Sequence, residues 1–384
     1  MEENRFAIRG ALLISMNKTS TQLLELIKSA VWNQLADKIV MSICDLKQLM
    51  CEAEKQTVIG LVTDGLNLNG FFGHCSFEEK MQWVGTVSQI EGENEKHQKV
   101  LAKTLKCLRE KEIPVVFMKG LVAGNRYPNP LRRQCGDIDF VVAQSDFDRT
   151  LDALDTIGQV DRELKHEHHG MAYVDGVILE PHYKVHNFQN PKIDKAMQEI
   201  FLEVFPNKLE SERIGDCDIS VFPREAECIM LVGHMVNHVY AEGLGLRQVL
   251  DFMMFLKEKY YSFDKDLCLL YLERMEMIRA FHIFTRICEK YLGMPTNIVQ
   301  LSYTDKELTA ADKMMEDIME VGNFGRGKRN VGHHFLLRPI KSYLWVLRRS
   351  WTLREVCPAE ARWWPVAKFN RYLGKRININ KTIN

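Results

Sequence analysis

The sequence predicts an α+β fold: a small mixed β-sheet core flanked by N-terminal and C-terminal helical regions. Three observations predict it. Apolar residues recur at helical spacing up to about residue 95 and again from Arg224 onward. Between these stretches lie short apolar runs, rich in β-branched residues, with the length and composition of strands. Two of those runs are joined by Asp175-Gly176, a strong hairpin signal. The expected organisation is a helical region over 1–95, an α/β core over 96–223, a helical domain over 224–300 and a basic, Trp-rich helical region over 301–384.

Each element has a local reason. Leu23, Leu24, Ile27, Ala30, Val31 and Leu35 mark one helix, Leu46, Leu49, Met50 and Ala53 a second, and Met81–Ile90 a third. Gly65 to Gly70 reads as a turn between helices, because it lacks the Lys-Ser/Thr ending of a phosphate loop. A helix is expected over His97–Lys111, a buried strand over Ile113–Met118 and a new helix from Lys119-Gly120. Asp137–Val142 is a second strand, and Ser145 is placed to cap a helix over Asp146–Ile157. His168–Val174 and Val177–His182 form the hairpin. Helices then open at Arg224 and near Gly243, and one helix is expected over Asp266–Tyr291, stopped by Gly293 and Pro295.

Hydrophobic residues at 46% and charged residues at 27% describe a globular chain. No run of about 18 apolar residues occurs, so no spanning helix is expected. The N-terminus lacks the basic, apolar and small-residue layout of a secretory signal. Ten cysteines are scattered without a CxxC pair, which removes support for zinc ribbons and redox motifs and fits a reducing cytoplasm. The formal charge is zero but unevenly spread. Residues 326–384 hold 14 Lys/Arg against two acids, net +12; the rest holds 37 against 49, net −12.

The carboxylates point to chemistry. Asp137 and Asp139 are two apart on a strand, so both face one side and Ile138 the other. Two adjacent carboxylates repel unless a cation sits between them, and hard Mg2+ prefers oxygen ligands. Gly136 lets a phosphate approach closely. Glu180 ends the strand Val177–Glu180 and becomes the third acid if that strand is a neighbour; three such acids can hold two metal ions for phosphoryl transfer. Lys119-Gly120 at a strand-to-helix turn suits phosphate oxygens. Arg132 and Arg133, just before the acids, suit a triphosphate. Solvated strand ends and an ordinary basic loop are the plainer alternatives for each of these features.

In this order the motifs Lys119-Gly120, Arg133-Gln-Cys-Gly-Asp137-Ile-Asp139 and Glu180-Pro-His182 resemble the uncharacterised bacterial nucleotidyltransferase family of the polymerase-β-like superfamily. His234-x-x-x-His238 followed by Gly245-Leu-Arg-Gln-x-x-Asp251 is similar to that family's downstream signature. The resemblance spans about residues 90–300. It implies transfer of an NMP from an NTP to an acceptor hydroxyl or phosphate, with release of pyrophosphate. It further implies Asp137, Asp139 and Glu180 as metal ligands and catalytic acids. Lys119, Gly120, Arg133, Gly136 and Arg247 are then the candidate nucleotide-binding residues. The wider superfamily usually has Gly-Ser where this chain has Lys119-Gly120. The same resemblance brings an association with polysaccharide-biosynthesis gene neighbourhoods. Alternative readings are a nucleotide-binding scaffold without turnover, nucleotidylation of a protein, and a membrane-surface accessory factor in glycan assembly.

His234 and His238 lie four apart, yet no Glu stands in the zincin position between them, so helix-face packing is the expectation. His166, His168 and His169 suit a surface or substrate groove as well as a ligand role. Arg247 either pairs with Asp251 on its own helix or reaches a phosphate across the cleft. The basic tail interleaves cations with Trp345, Trp351, Trp363 and Trp364. It either docks on the acidic body or meets an anionic membrane surface or a polyanion.

Overall fold

The computed structural model describes residues 17–37, 45–73, 75–163, 168–327 and 338–381. At its centre is a seven-stranded mixed sheet in the order β3-β4-β5-β2-β1-β7-β6. The strands are β1 (Val116–Met118), β2 (Asp137–Val141), β3 (Gln159–Asp161), β4 (Met171–Val174), β5 (Val177–His182), β6 (Glu210–Ile214) and β7 (Cys217–Val221). β2 runs parallel to β5 and antiparallel to β1, and β1 runs parallel to β7. The expected hairpin is β4–β5, with Asp175 and Gly176 both at positive φ, 49° and 76°.

The sheet alternates between two environments. Phe117, Ile138, Phe140, Ala172 and Leu179 face one apolar layer shared with Leu101, Leu105 and Leu108 of the long helix beneath. The residues between them, Val116, Met118 and Val141, join a second core with the C-terminal helices. Period-two alternation thus puts Asp137, Asp139, Glu180 and His182 on the face toward the helical half.

Among the described residues, four helices precede the sheet: α1 (Lys18–Trp32), α2 (Leu46–Gln56), α3 (Ile59–Leu68) and α4 (Phe77–Glu110). The last is one helix of 34 residues, opened by a Ser76–Glu79 capping box. It joins the two helices expected at Met81–Ile90 and His97–Lys111 and runs unbroken through residue 95. The apolar period thins between them because buried Asn94 donates to the carbonyls of Leu131 and Arg133, at 2.6 and 2.8 Å. The glycine stretch is corrected as well. Gly65 lies inside α3, where a Cβ would stand 2.3 Å from the Leu26 carbonyl oxygen, so the glycine permits a close helix crossing.

After β1 comes α5 (Gly120–Gly124); after β2, α6 (Phe147–Asp155); after β5, α7 (Pro191–Val204). Ser145 does not cap α6: a 3-10 turn over Gln144–Asp146 leads into it instead. The helical half holds α8 (Arg224–Ala241), α9 (Leu246–Lys259), α10 (Lys265–Arg274), α11 (Ile278–Leu292) and α12 (Asp305–Val321). The single helix expected over Asp266–Tyr291 is therefore two. Glu276, at φ 53°, breaks it, and the turn buries Met275 and Met277.

Two further helices, α13 (Arg338–Thr352) and α14 (Pro358–Lys381), form a hairpin. One side is docked. Arg349 donates to both oxygens of Asp317, at 2.8 and 2.7 Å, and Glu360 accepts from the backbone N–H groups of Gln189 and Asn190. The other side leaves Ile340, Leu344, Leu347 and Trp351 in an exposed stripe, beside exposed Trp363, Val366, Phe369 and Leu373. Trp351 is 71% exposed. No described helix is long and apolar enough to cross a membrane.

Candidate active site

The strand register brings the three acids together. Asp139 of β2 stands opposite Glu180 of β5, and Asp137 lies two residues before it on the same face. His182, two beyond Glu180, also faces them: its Nε2 lies 3.0 Å from Asp139 Oδ1 and 3.7 Å from Glu180 Oε2. Oxygen and nitrogen donors of Asp139, Glu180 and His182 all fall within 4.8 Å of one another. The sequence pattern placed His182 in a motif without giving it a role. The signal available was its spacing of two from Glu180, which fixes a common face.

Lys119 donates from Nζ to Asp139 Oδ1 at 2.9 Å. It sits in the turn between β1 and α5 at φ 54°, ψ −139°, a conformation that costs a non-glycine residue about 1–3 kcal/mol. Gly120 follows at φ 23°, where a Cβ would be 3.1 Å from the Asp137 carbonyl oxygen. Side-chain bulk is thereby excluded, and the turn presses against the strand carrying the acids. Above Gly136 nothing lies within 4 Å of a Cβ position, so the approach there is open.

The electrostatics show what the cluster lacks. Repulsion from Asp139, with burial and Glu180 adding to it, raises the Asp137 carboxyl to about 7. Burial pushes Asp139 the same way, but Lys119 and His182 outweigh it and hold that carboxyl below its ordinary value. Glu180 is likewise lowered: burial and Asp139 raise it, but His182, His169 and Lys119 together outweigh them. Lys119 is raised, because the three acids outweigh its burial. Among the described residues, the three carboxylates thus share one lysine, Lys119, in ion-pair contact. Oxygen donors with uncompensated negative charge fit a hard divalent ion.

The arginines separate. Arg133 does not face the carboxylates: it is buried and donates to both oxygens of Asp251, at 2.9 and 2.6 Å. Tyr127 donates its hydroxyl to the same Asp251 at 2.8 Å. Arg132 is engaged by Asp64 and by Glu91. Because Asp251 takes Arg133, Arg247 is turned the other way. It donates to the Gln134 carbonyl at 2.9 Å, lies over the Phe324 ring at 5.9 Å, and lowers Asp137 electrostatically.

The histidines of α8 pack as expected. His234 stacks on His186 at 5.7 Å and meets His238 edge-on at 4.4 Å. Enclosure, then nearby cations, hold all three rings well below the ordinary imidazole value. His168 and His169 stand beside His182 at the edge of the acid cluster. His166 lies outside the described residues.

A family model described as an uncharacterised nucleotidyltransferase matches residues 44–293. No curated protein matches the chain. Among solved structures, the solution structure of the antibiotic-resistance factor ANT(2'')-Ia aligns with a TM-score of 0.35 at 10% identity, over 47% of this chain and 92% of that one. A crystal structure of ANT(2")-Ia with adenylyl-2"-tobramycin gives 0.34 at 12%, over 47% and 98%. An antigenic nucleotidyltransferase-like protein from Paracoccidioides brasiliensis gives 0.31 at 13%, over 53% and 96%.

Proposed function

The chain belongs to the uncharacterised nucleotidyltransferase family, and from that premise we propose a Mg2+-dependent transfer of an NMP from an NTP to an acceptor hydroxyl or phosphate. One observation carries the reading: three carboxylates converge on one face of two parallel strands, with Lys119 the one lysine or arginine in ion-pair contact with them among the described residues. In this reading residues 96–223 form the catalytic core, and the helical regions over 1–95, 224–300 and 301–384 enclose it.

Asp137, Asp139 and Glu180 would hold the divalent ion, which when bound supplies charge neutralisation for the phosphate oxygens. Lys119, Gly120 and Gly136 shape the phosphate turn, and Arg247 reaches toward the same space. Arg133 acts through Asp251 as a positioning residue, fixing α9 so that Arg247 points at the acids. His182 orients Asp139. Glu180 accepts the proton of the acceptor group; the new acceptor–phosphorus bond forms as the bond to pyrophosphate breaks. Asp137→Ala or Asp139→Ala is expected to abolish incorporation from α-labelled NTP while the fold is kept. Undiminished incorporation would sink the assignment. A panel of the four NTPs against sugar phosphates, alcohols and cell extract, read by pyrophosphate release, identifies the acceptor class.

A second reading concerns where the acceptor is met. The exposed stripe of α13 and α14 is bordered by exposed Lys341, Arg348, Arg362 and Arg371. Apolar side chains flanked by cations on a helical pair suit an anionic membrane surface. The full chain is expected to float with anionic but not zwitterionic vesicles, and Leu347→Ser with Trp351→Ser to reduce flotation. Equal flotation with both vesicle types, or no effect of the substitutions, removes this reading.

A further inference from the structure

Three histidines gather at the edge of the acid cluster, and nucleotide transfer makes no use of them as a group. His169 bridges His182 across adjacent strands, and His168 precedes it. The ring centroids lie 4.4 Å apart for His168–His169, 5.0 Å for His169–His182 and 5.4 Å for His168–His182. One nitrogen from each ring falls within 4.8 Å of the other two.

Two of the three rings carry a buried nitrogen that hydrogen bonding leaves unpaired. His169 Nδ1 and His168 Nε2 share one contact at 3.0 Å, and His182 Nε2 faces Asp139. Nδ1 of His168 and Nδ1 of His182 are buried with no hydrogen-bond partner. His182 is almost fully enclosed, at 1% exposed. Buried polar atoms are ordinarily paired, and each exception asks for an explanation such as an ion. A carboxylate stands alongside: Glu180 Oε2 is 3.9 Å from His169 Nε2 and 3.7 Å from His182 Nε2.

We propose that His168, His169 and His182 form a binding site for zinc, next to the carboxylate site and with Glu180 at its border. The donor chemistry separates the two. Imidazole nitrogens suit Zn2+, whereas all-oxygen donors suit Mg2+. Three protein nitrogens leave a coordination position open, the pattern of zinc sites that receive a small ligand. The site would hold a softer cation beside the acids, placed to take an anionic group of the acceptor. It stands on its own donor set and does not require the nucleotidyl-transfer reading.

The test uses the full chain stripped with chelator, titrated with Zn2+ by calorimetry in excess Mg2+, and with Co2+ followed by visible absorption. One equivalent of Zn2+ is expected to bind despite the Mg2+, with Co2+ ligand-field bands that Zn2+ displaces. His168→Ala with His169→Ala should weaken Zn2+ binding about 100-fold or more, since even outer-shell partners are worth about 10–100-fold. Asp137→Asn should leave it in place. The single variant His168→Asn serves if the double variant loses its circular dichroism signature. Absence of a Zn2+ site in the wild-type chain, displacement of Zn2+ by Mg2+, or unchanged binding in a folded histidine variant overturns the proposal. Loss of nucleotide transfer in Asp139→Ala with Zn2+ binding retained would separate the two sites.

Discussion

Two sets of buried charges lie within one seam of this molecule, and they are built on opposite principles. In the first, charges are matched. Arg133 meets Asp251 in a two-pronged pair, and Arg126 meets both oxygens of Glu227, at 2.7 and 2.9 Å, with Glu212 at 2.8 Å. Lys259 adds a second cation for Glu212 at 2.9 Å. In the second, Asp137, Asp139 and Glu180 share Lys119, and one carboxyl is driven up to about 7 as a result. The matched set joins the sheet to α8 and α9 and holds geometry. The unmatched set is the one that gains most from an incoming cation. The difference supplies a criterion: substitutions in the first should be read in stability, and in the second in turnover.

The largest expected effect tests the second half of that criterion. Asp139→Asn removes a charge that Lys119 and His182 hold ionised. Transfer from NTP should fall about 1000-fold or more, equivalent to about 4 kcal/mol of barrier. The melting temperature should change little, because the pairing lost with Lys119 and His182 is offset by relief of the repulsion on Asp137. Single-turnover incorporation of labelled NTP with a melt of the same sample checks both parts. A large fall in stability would place Asp139 in the matched class.

Breaking the matched set should do the reverse. Asp251→Ala leaves Arg133 buried without its partner, which destabilises by about 3–5 kcal/mol. Replacing both, Arg133→Met with Asp251→Leu, should restore much of that loss. Urea unfolding of the three variants measures it. A double variant as unstable as Asp251→Ala would mean the pair does more than match charge.

Arg247 lies between the two sets and sharpens their border. Its neighbour Asp251 is already taken by Arg133, so its loss should disturb stability little. One charge-assisted contact is worth about 1.5–3 kcal/mol, so Arg247→Ala should raise the KM for NTP by about 10- to 100-fold. Steady-state kinetics that show a fall in kcat alone would remove it from the nucleotide site.

How much of this was legible in sequence follows the range of the interactions. β2 and the β4–β5 hairpin declared themselves because period-two alternation and the Asp175-Gly176 turn are local signals. The meeting of Asp137, Asp139 and Glu180 followed once those two strands were neighbours. The β6–β7 hairpin did not show, since Glu210-Ser-Glu-Arg-Ile214 is a polar run with only Ile214 fully buried. Arg133 looked like a phosphate ligand because its partner Asp251 is 118 residues away. Asn94 disguised α4 by burying an amide where a leucine would have kept the period. His182 was in view within Glu180-Pro-His182, but its contact with Asp139 depends on the parallel register of β2 and β5.

The smallest effect is the most direct test of unmatched charge, because it needs no substrate. Asp137 is raised from an ordinary 3.8 to about 7, chiefly by Asp139. A raised acid contributes stability that is fully present below its unfolded value and is lost as pH rises through the folded one. In chelator, the melting temperature of the wild-type protein relative to Asp137→Asn should therefore fall between about pH 4 and pH 7 and level off above, since the asparagine cannot titrate. A shift of a few degrees is the expected scale, as about 1 kcal/mol moves a large domain by about 2–4 °C. Mg2+ should cancel the fall at the alkaline end, where the carboxylates are charged and open to it. Parallel curves for the two proteins, with and without Mg2+, would mean that the acids of β2 and β5 are matched after all and that the distinction between the two sets fails.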